Sequence, residues 1–175
     1  HVDLIIPRGG EALIRYVSEN ATIPVVKHDK GVCHTYVDKE ANLEQAIAII
    51  LNAKCQRPSA CNALETLLVH EAIAKSFLPS IKEALDATGA VIKGCEQTQN
   101  YLHVSLATDE DYHTEHLSNA LNSKVVTSMD EALTHIATFG SSHSEAILSE
   151  NYSTTERFLN EVDAACVYVN TSTRF

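Results

Sequence analysis

Covalent chemistry first becomes conceivable at Cys61, in the stretch QRPSACNALETLLVH, residues 56–70. Pro58-Ser59 reads as a helix or turn start, Lys54 and Arg57 put positive charge nearby, and the apolar run Leu67-Leu68-Val69 follows. A thiolate nucleophile needs its pKa brought down from about 8.5 by a helix N-terminus or adjacent cations. The same residues suit a small buried hydrophobe. Taken alone, the stretch leaves both readings open.

Other chemistry-bearing groups are less specific. His113-Thr-Glu-His116 and Cys33-His34 bring metal ligands close in sequence, but there is no HExxH and no CxxC spacing, so no metal is expected. Asp109-Glu110-Asp111 reads as a solvated acidic run. Gly140-Ser141-Ser142-His143-Ser144 lacks the GxSxG elbow of a serine hydrolase and reads as a connection. Gly9-Gly10 follows the apolar Leu4-Ile5-Ile6 and precedes a helical pattern, an arrangement that offers backbone N–H groups to a phosphate. A Gly pair is weak evidence for such a site.

The elements that would position these groups are readable from periodicity. Val2–Ile6 reads as a buried parallel strand and 11–19 as a helix. Extended pieces are expected at 23–26, 32–37, 66–69, 90–92, 124–126, 145–148 and 165–169. Helices are expected at 42–54, 71–85 (with Pro79 kinking or splitting it), 129–139 and 154–162. Residues 95–123 are the least readable. The alternation predicts an α/β domain with a largely parallel sheet flanked by helices.

Composition agrees. The chain has 175 residues with 45% hydrophobic content, enough for a core. Its longest apolar run, Ala46–Leu51, is far shorter than the roughly 20 residues a bilayer span needs. No basic region leads an apolar one, so no export leader is expected. The net charge is -10. Seven Lys/Arg face seven Asp/Glu in residues 1–60, and six face sixteen in 61–175. No basic stripe speaks for nucleic acid, while Arg8, Lys27, Lys30, Lys54 and Arg57 leave room for a small anionic substrate. The odd count of five cysteines suits a reducing cytoplasm.

Read in order, DLIIPRGG, KHDKGVCHTYVD, QRPSACNALETLLVH, YHTEHL, FGSSHSEAILSE and VDAACVYVNTSTRF resemble gamma-glutamyl phosphate reductase, the glutamate-5-semialdehyde dehydrogenase of proline biosynthesis. That family belongs to the aldehyde dehydrogenase superfamily. The likeness runs over essentially the whole chain. It implies residues 1–26 as the end of a cofactor-binding domain and 27–175 as the catalytic thiol domain, with further cofactor-binding surface upstream. By resemblance, Cys61 is the catalytic cysteine, Gly9 and Gly10 lie beside the NADPH pyrophosphate, and Glu115 holds the nicotinamide ribose. Asn170, Arg174 and His143 fall where the family shapes its substrate pocket, with Arg174 a contact for a carboxylate or phosphate. His143 has no role on physical grounds. Superfamily members that hydrolyse their thioacyl enzyme carry a glutamate base where this chain has His28; an enzyme whose acyl partner is phosphate has no need of it.

The resemblance further implies NADPH-dependent reduction of L-glutamyl 5-phosphate through a thioacyl enzyme, in the cytoplasm. It also implies a homo-oligomer in the full-length enzyme, and functional contact with glutamate 5-kinase. The isolated chain is expected to fold without turning over. Two alternatives stand beside it: the reductase half of a bifunctional kinase–reductase, and a non-catalytic dehydrogenase-like assembly module.

Overall fold

The computed structural model describes residues 1–27 and 30–174, and of Glu11 the backbone alone. The chain divides into two compact units, His1–Lys30 and Gly31–Phe175. In the first, α1 spans Glu11–Asn20 behind Gly10 as N-cap. The expected strand at Val2–Ile6 is reduced to a single parallel bridge, Ile5 with Val25. Val2 and Ile6 are 66% and 70% exposed, so this run is not the buried strand its composition predicts.

The second unit is a sheet of seven strands: β1 (Cys33–Val37), β2 (Leu64–His70), β3 (Val91–Gly94), β4 (Ser105–Leu106), β5 (Ala120–Val126), β6 (Ser144–Leu148) and β7 (Cys166–Val169). The order is β4-β3-β5-β2-β1-β6-β7, and every adjacent pair is parallel. The connections carry α2 (Leu43–Cys55), α3 (Glu71–Asp86), α4 (Glu96–Gln99), α5 (Asp109–Tyr112), α6 (Met129–Phe139) and α7 (Tyr152–Glu161). Side-chain caps start them where the sequence supplies Asn or Ser: Asn42 accepts from Gln45 N–H, Ser128 from Glu131 N–H and Asn151 from Thr154 N–H. Helix α3 runs unbroken through Pro79, which sits on its exposed face, where the missing N–H leaves a carbonyl to water. No helix among the described residues is long and apolar enough to cross a membrane.

Two cores sandwich the sheet. Ala46, Ile50 and Ala53 of α2 and Phe77, Leu78 and Ile81 of α3 pack with Leu64, Leu67, Val69 and Val37. On the other face Ala132 and Ile136 of α6 and Phe158 of α7 pack with Tyr36, Leu68 and Ile147. Side chains alternate faces along a strand, so Leu64 would belong with Leu68. It packs instead with Leu67 and Val69. The cause is a β-bulge: Cys33 pairs with Leu64 but His34 with Thr66, which leaves Glu65 as the extra residue.

Candidate active site

Cys61 stands at the tip of a double turn. Ala60 N–H donates to Arg57 C=O and Ala63 N–H to Ala60 C=O, which carries the chain from the end of α2 into β2. The thiol is exposed while Asn62 and Ala63, next in the chain, are buried. Of the two arrangements open at Pro58-Ser59, the turn is the one formed. The Cys61 peptide is held from β1. A Cβ placed on Gly31 would stand 1.8 Å from Cys61 O, so only glycine lets the two backbones come this close. Two residues on, the Cys33 thiol donates to the same oxygen at 3.4 Å. Burial, then the nearby Glu145 carboxylate, pushes the Cys33 thiol up, which keeps it a donor. The start of β1 is itself tied down, because Val32 N–H donates to Ser141 Oγ at 2.9 Å.

Lys54 is not available as a cation for the thiol. Its Nζ is fully buried and lies 2.8 Å from Glu65 Oε2, also fully buried. Burial lowers the Lys54 ammonium and raises the Glu65 carboxyl, each opposed by its partner. Among the described residues Arg174 reaches the thiol loop from a distance in sequence: its Nη1 donates to Asn62 Oδ1 at 2.5 Å.

Because all strands are parallel, the sheet has one amino edge and one carboxyl edge. Cys61 precedes β2, Glu115 precedes β5, and His143 precedes β6, so all three lie along the amino edge. Doubly wound sheets usually bind ligands at the other edge. Glu115 is half-buried in the segment between α5 and β5. That segment is held by Asn122, which donates to Asp111 C=O at 2.8 Å and meets His116 Nε2 at 3.3 Å. Asp111 closes a capping box with Thr108 and binds Lys93 Nζ at 2.6 Å. Burial lowers the His116 imidazole. His143 is half-buried, with Nδ1 2.8 Å from Ser144 Oγ.

Asn170 stands apart. It follows β7 at the carboxyl edge, and its amide is engaged with Ser149, accepting from its N–H at 3.0 Å and donating to its C=O at 2.9 Å. Its φ of 52° turns the chain, and four residues later Arg174 reaches Asn62 before β2. Asn170 thus bears on the thiol loop through the turn that delivers Arg174.

Gly9 and Gly10 belong to the first unit. A Cβ on Gly10 would meet nothing within 4 Å, so the opening turn of α1 is open to approach, as a phosphate group requires. Among the described residues no group of three or more His, Cys, Asp or Glu could hold a metal ion. The His113 ring packs on Phe139 at 4.7 Å, away from His116's contact with Asn122. His28 lies outside the described residues.

Sequence reasoning missed Gly31, Cys33 and Glu65 as neighbours of the thiol loop. It took Lys54 as a free charge. A signal for Lys54 was present: it lies four residues beyond Ile50, on the buried face of α2.

No family model matches the chain. The gamma-glutamyl phosphate reductase of Sulfurovum sp. is 61% identical over 175 residues, which is all of this chain and 43% of that protein. The crystal structure of gamma-glutamyl phosphate reductase from Thermotoga maritima superposes with a TM-score of 0.97 at 51% identity, covering 99% of this chain and 42% of that one. At 16% identity, where likeness speaks for fold alone, the NADP-dependent glyceraldehyde-3-phosphate dehydrogenase of Bacillus halodurans, complexed with NADP, superposes with a TM-score of 0.78 over 98% of this chain and 44% of that one. An acetylating aldehyde dehydrogenase from Geobacillus thermoglucosidasius superposes with a TM-score of 0.74 at 19% identity over 99% of this chain and 47% of that one, so the sheet has the aldehyde dehydrogenase type of fold. Along all of its own length the chain is similar to gamma-glutamyl phosphate reductases, and it spans 43% of the length of the Sulfurovum relative.

Proposed function

We propose that the protein containing this chain reduces L-glutamyl 5-phosphate to L-glutamate 5-semialdehyde with NADPH, through a thioacyl intermediate on Cys61. The observation that carries this reading is an exposed thiol on a loop whose peptide is clamped by Gly31 and Cys33, with the Arg174 guanidinium beside it. The names of the full-length relatives support the substrate. The NADP complex of a structural neighbour supports a nicotinamide cofactor.

The chain's residues divide the work as follows. The Cys61 sulfur bonds to the acyl carbon, the bond from that carbon to the phosphate oxygen breaks, and the leaving phosphate takes the thiol proton. NADPH, when bound, supplies the hydride. The C–S bond then breaks, releasing the aldehyde and a Cys61 thiolate that takes a proton from water. Splitting one reduction into acyl transfer and hydride transfer is the gain of covalent catalysis. The Cys61 N–H donates to no group among the described residues and suits the oxyanion that forms in both steps. Arg174 offers a fork of donors to a carboxylate or phosphate. Gly10 and the first turn of α1 would take a phosphate of NADPH, and Glu115 a ribose hydroxyl.

All five cysteines are free, which suits the reducing cytoplasm proposed for the protein. A homo-oligomer and contact with glutamate 5-kinase belong to the same proposal for the whole protein. The 175 residues alone are expected to give no NADPH-dependent turnover. The test is mass spectrometry of the full-length protein mixed with acyl phosphate, which should place one acyl adduct on Cys61. Cys61→Ser should abolish reduction while the fold persists. An adduct on another residue overturns the assignment. Iodoacetamide that alkylates Cys61 no faster than Cys55, Cys95 or Cys166 would favour a non-catalytic module.

A further inference from the structure

The buried pair Lys54–Glu65 has no part in the chemistry above, and stability does not account for it. Both side chains are fully buried, 2.8 Å apart. Apolar residues of similar size generally serve a core as well or better than such a pair. Glu65 also sits on the one register shift among the described strand pairs, four residues past Cys61. Bulges re-aim side chains, and this one turns a carboxylate inward onto α2. Glu65 Oε1 is buried without a hydrogen-bond partner among the described residues.

The surroundings say what the pair touches. Cys33, whose thiol donates to Cys61 O, lies near enough to feel both charges. On the far side, the His116 main chain and the Glu115 carboxylate act on Glu65. Thr66, next to Glu65, pairs in register with Asn122, the residue that secures His116 and the end of α5. The pair therefore stands between the thiol loop and the segment carrying Glu115.

We propose that Lys54 and Glu65 are positioning residues, a buried strut that holds the Cys61 loop in register with the Glu115–His116 segment so that an acyl group on the sulfur faces the bound nicotinamide. This rests on the reading of Cys61 as nucleophile and Glu115 as a cofactor contact. Hydride transfer needs the reacting atoms about 3–3.5 Å apart, and a misplacement of about 1 Å can lower the rate about 100-fold. Acyl transfer to the exposed thiol needs no such alignment with the cofactor.

The experiment uses the full-length protein carrying Lys54→Met with Glu65→Leu, which removes both charges together, and separately Glu65→Asp, which keeps the charge and shortens its reach. The expected result is a thermal midpoint no lower than the parent's in the double variant and an undiminished burst of phosphate release on mixing with acyl phosphate. With it should come a fall in kcat of at least about tenfold and a KM for acyl phosphate within about threefold. Glu65→Asp should reproduce the kcat loss, and it decides the matter if the double variant does not fold. A kcat within threefold of the parent in a folded variant overturns the proposal, as does an equal slowing of burst and turnover. Cys61→Ser run alongside separates the two readings. Retained turnover there removes the nucleophile itself, whereas full loss there beside an unimpaired strut variant removes only the strut.

Discussion

The backbone of Gly31 lies against the peptide of Cys61 so closely that a methyl group at Gly31 would fall 1.8 Å from the Cys61 carbonyl oxygen and 2.6 Å from its carbon. Both obstacles are backbone, so no side-chain rotation relieves them. Gly31→Ala is expected to displace the thiol loop, lowering kcat by about 100-fold and stability by about 1–3 kcal/mol. Steady-state kinetics and chemical denaturation of the full-length protein check this. A fully active Gly31→Ala would mean that the loop position does not matter to turnover.

Arg174 should act on substrate binding. Its guanidinium is oriented by Asn62 at one end, and its own N–H donates to Ser172 Oγ at 3.0 Å. Arg174→Gln removes the charge and is expected to raise the KM for acyl phosphate at least about tenfold, the loss of one charge-assisted hydrogen bond. Arg174→Lys should recover part of it. Unchanged KM in both variants would exclude Arg174 from the substrate's anionic groups.

Asn170 gives a contrasting prediction. Asn170→Ala loses both bonds to Ser149 and puts a Cβ residue with no local hydrogen bond at φ 52°. Destabilisation of about 1–3 kcal/mol is expected, with a raised KM because the turn delivers Arg174. Asn170→Gly keeps the backbone conformation and should lose less. Thermal melts of the two variants, compared side by side, test the ordering.

His135 should make the fold acid-sensitive. It packs against the rings of Tyr112, Phe139 and His34, and its Nε2 has no partner among the described residues. Burial pushes its pKa from 6.5 down to about 3, aided by the charges of His34, Lys124 and His113; His34 in turn is bonded to Glu145 at 3.0 Å. The folded value is depressed, so the unfolded chain takes up the proton first as pH falls. The contribution is complete above about pH 6.5 and drains towards pH 3 by up to about 1.4 kcal/mol per pH unit. His135→Phe keeps a ring in place and should flatten that slope in urea denaturation between pH 6.5 and 4. An unaltered slope would assign the acid sensitivity to other groups.

Much of the frame was legible in the sequence. The helix at Met129–Phe139 has the bounds expected, because a Ser N-cap and Gly140 bracket a clean apolar stripe. Strands β1, β2 and β6 fall within a residue or two of expectation. The segment 95–123 was not legible because α4, β4 and α5 have four, two and four residues, too few to show a period. Val2–Ile6 misled because an apolar run reports what could be buried and not what would cover it. At the site, Pro58-Ser59 signalled a helix or turn start before Cys61, and the turn is what formed. The bulge at Glu65 was not, because β2 is buried on both faces and so has no polar alternation for an extra residue to disturb.

That bulge sets a constraint on chain length. Deleting Glu65 would let β2 pair with β1 without interruption, with Leu64 still opposite Cys33 and still in the layer of α2 and α3. The sheet could form, but the Lys54 ammonium would stay buried with no carboxylate beside it. Point substitutions in this stretch can be graded by their chemistry. Loss of the extra residue is expected to weaken the fold and unseat the thiol loop together.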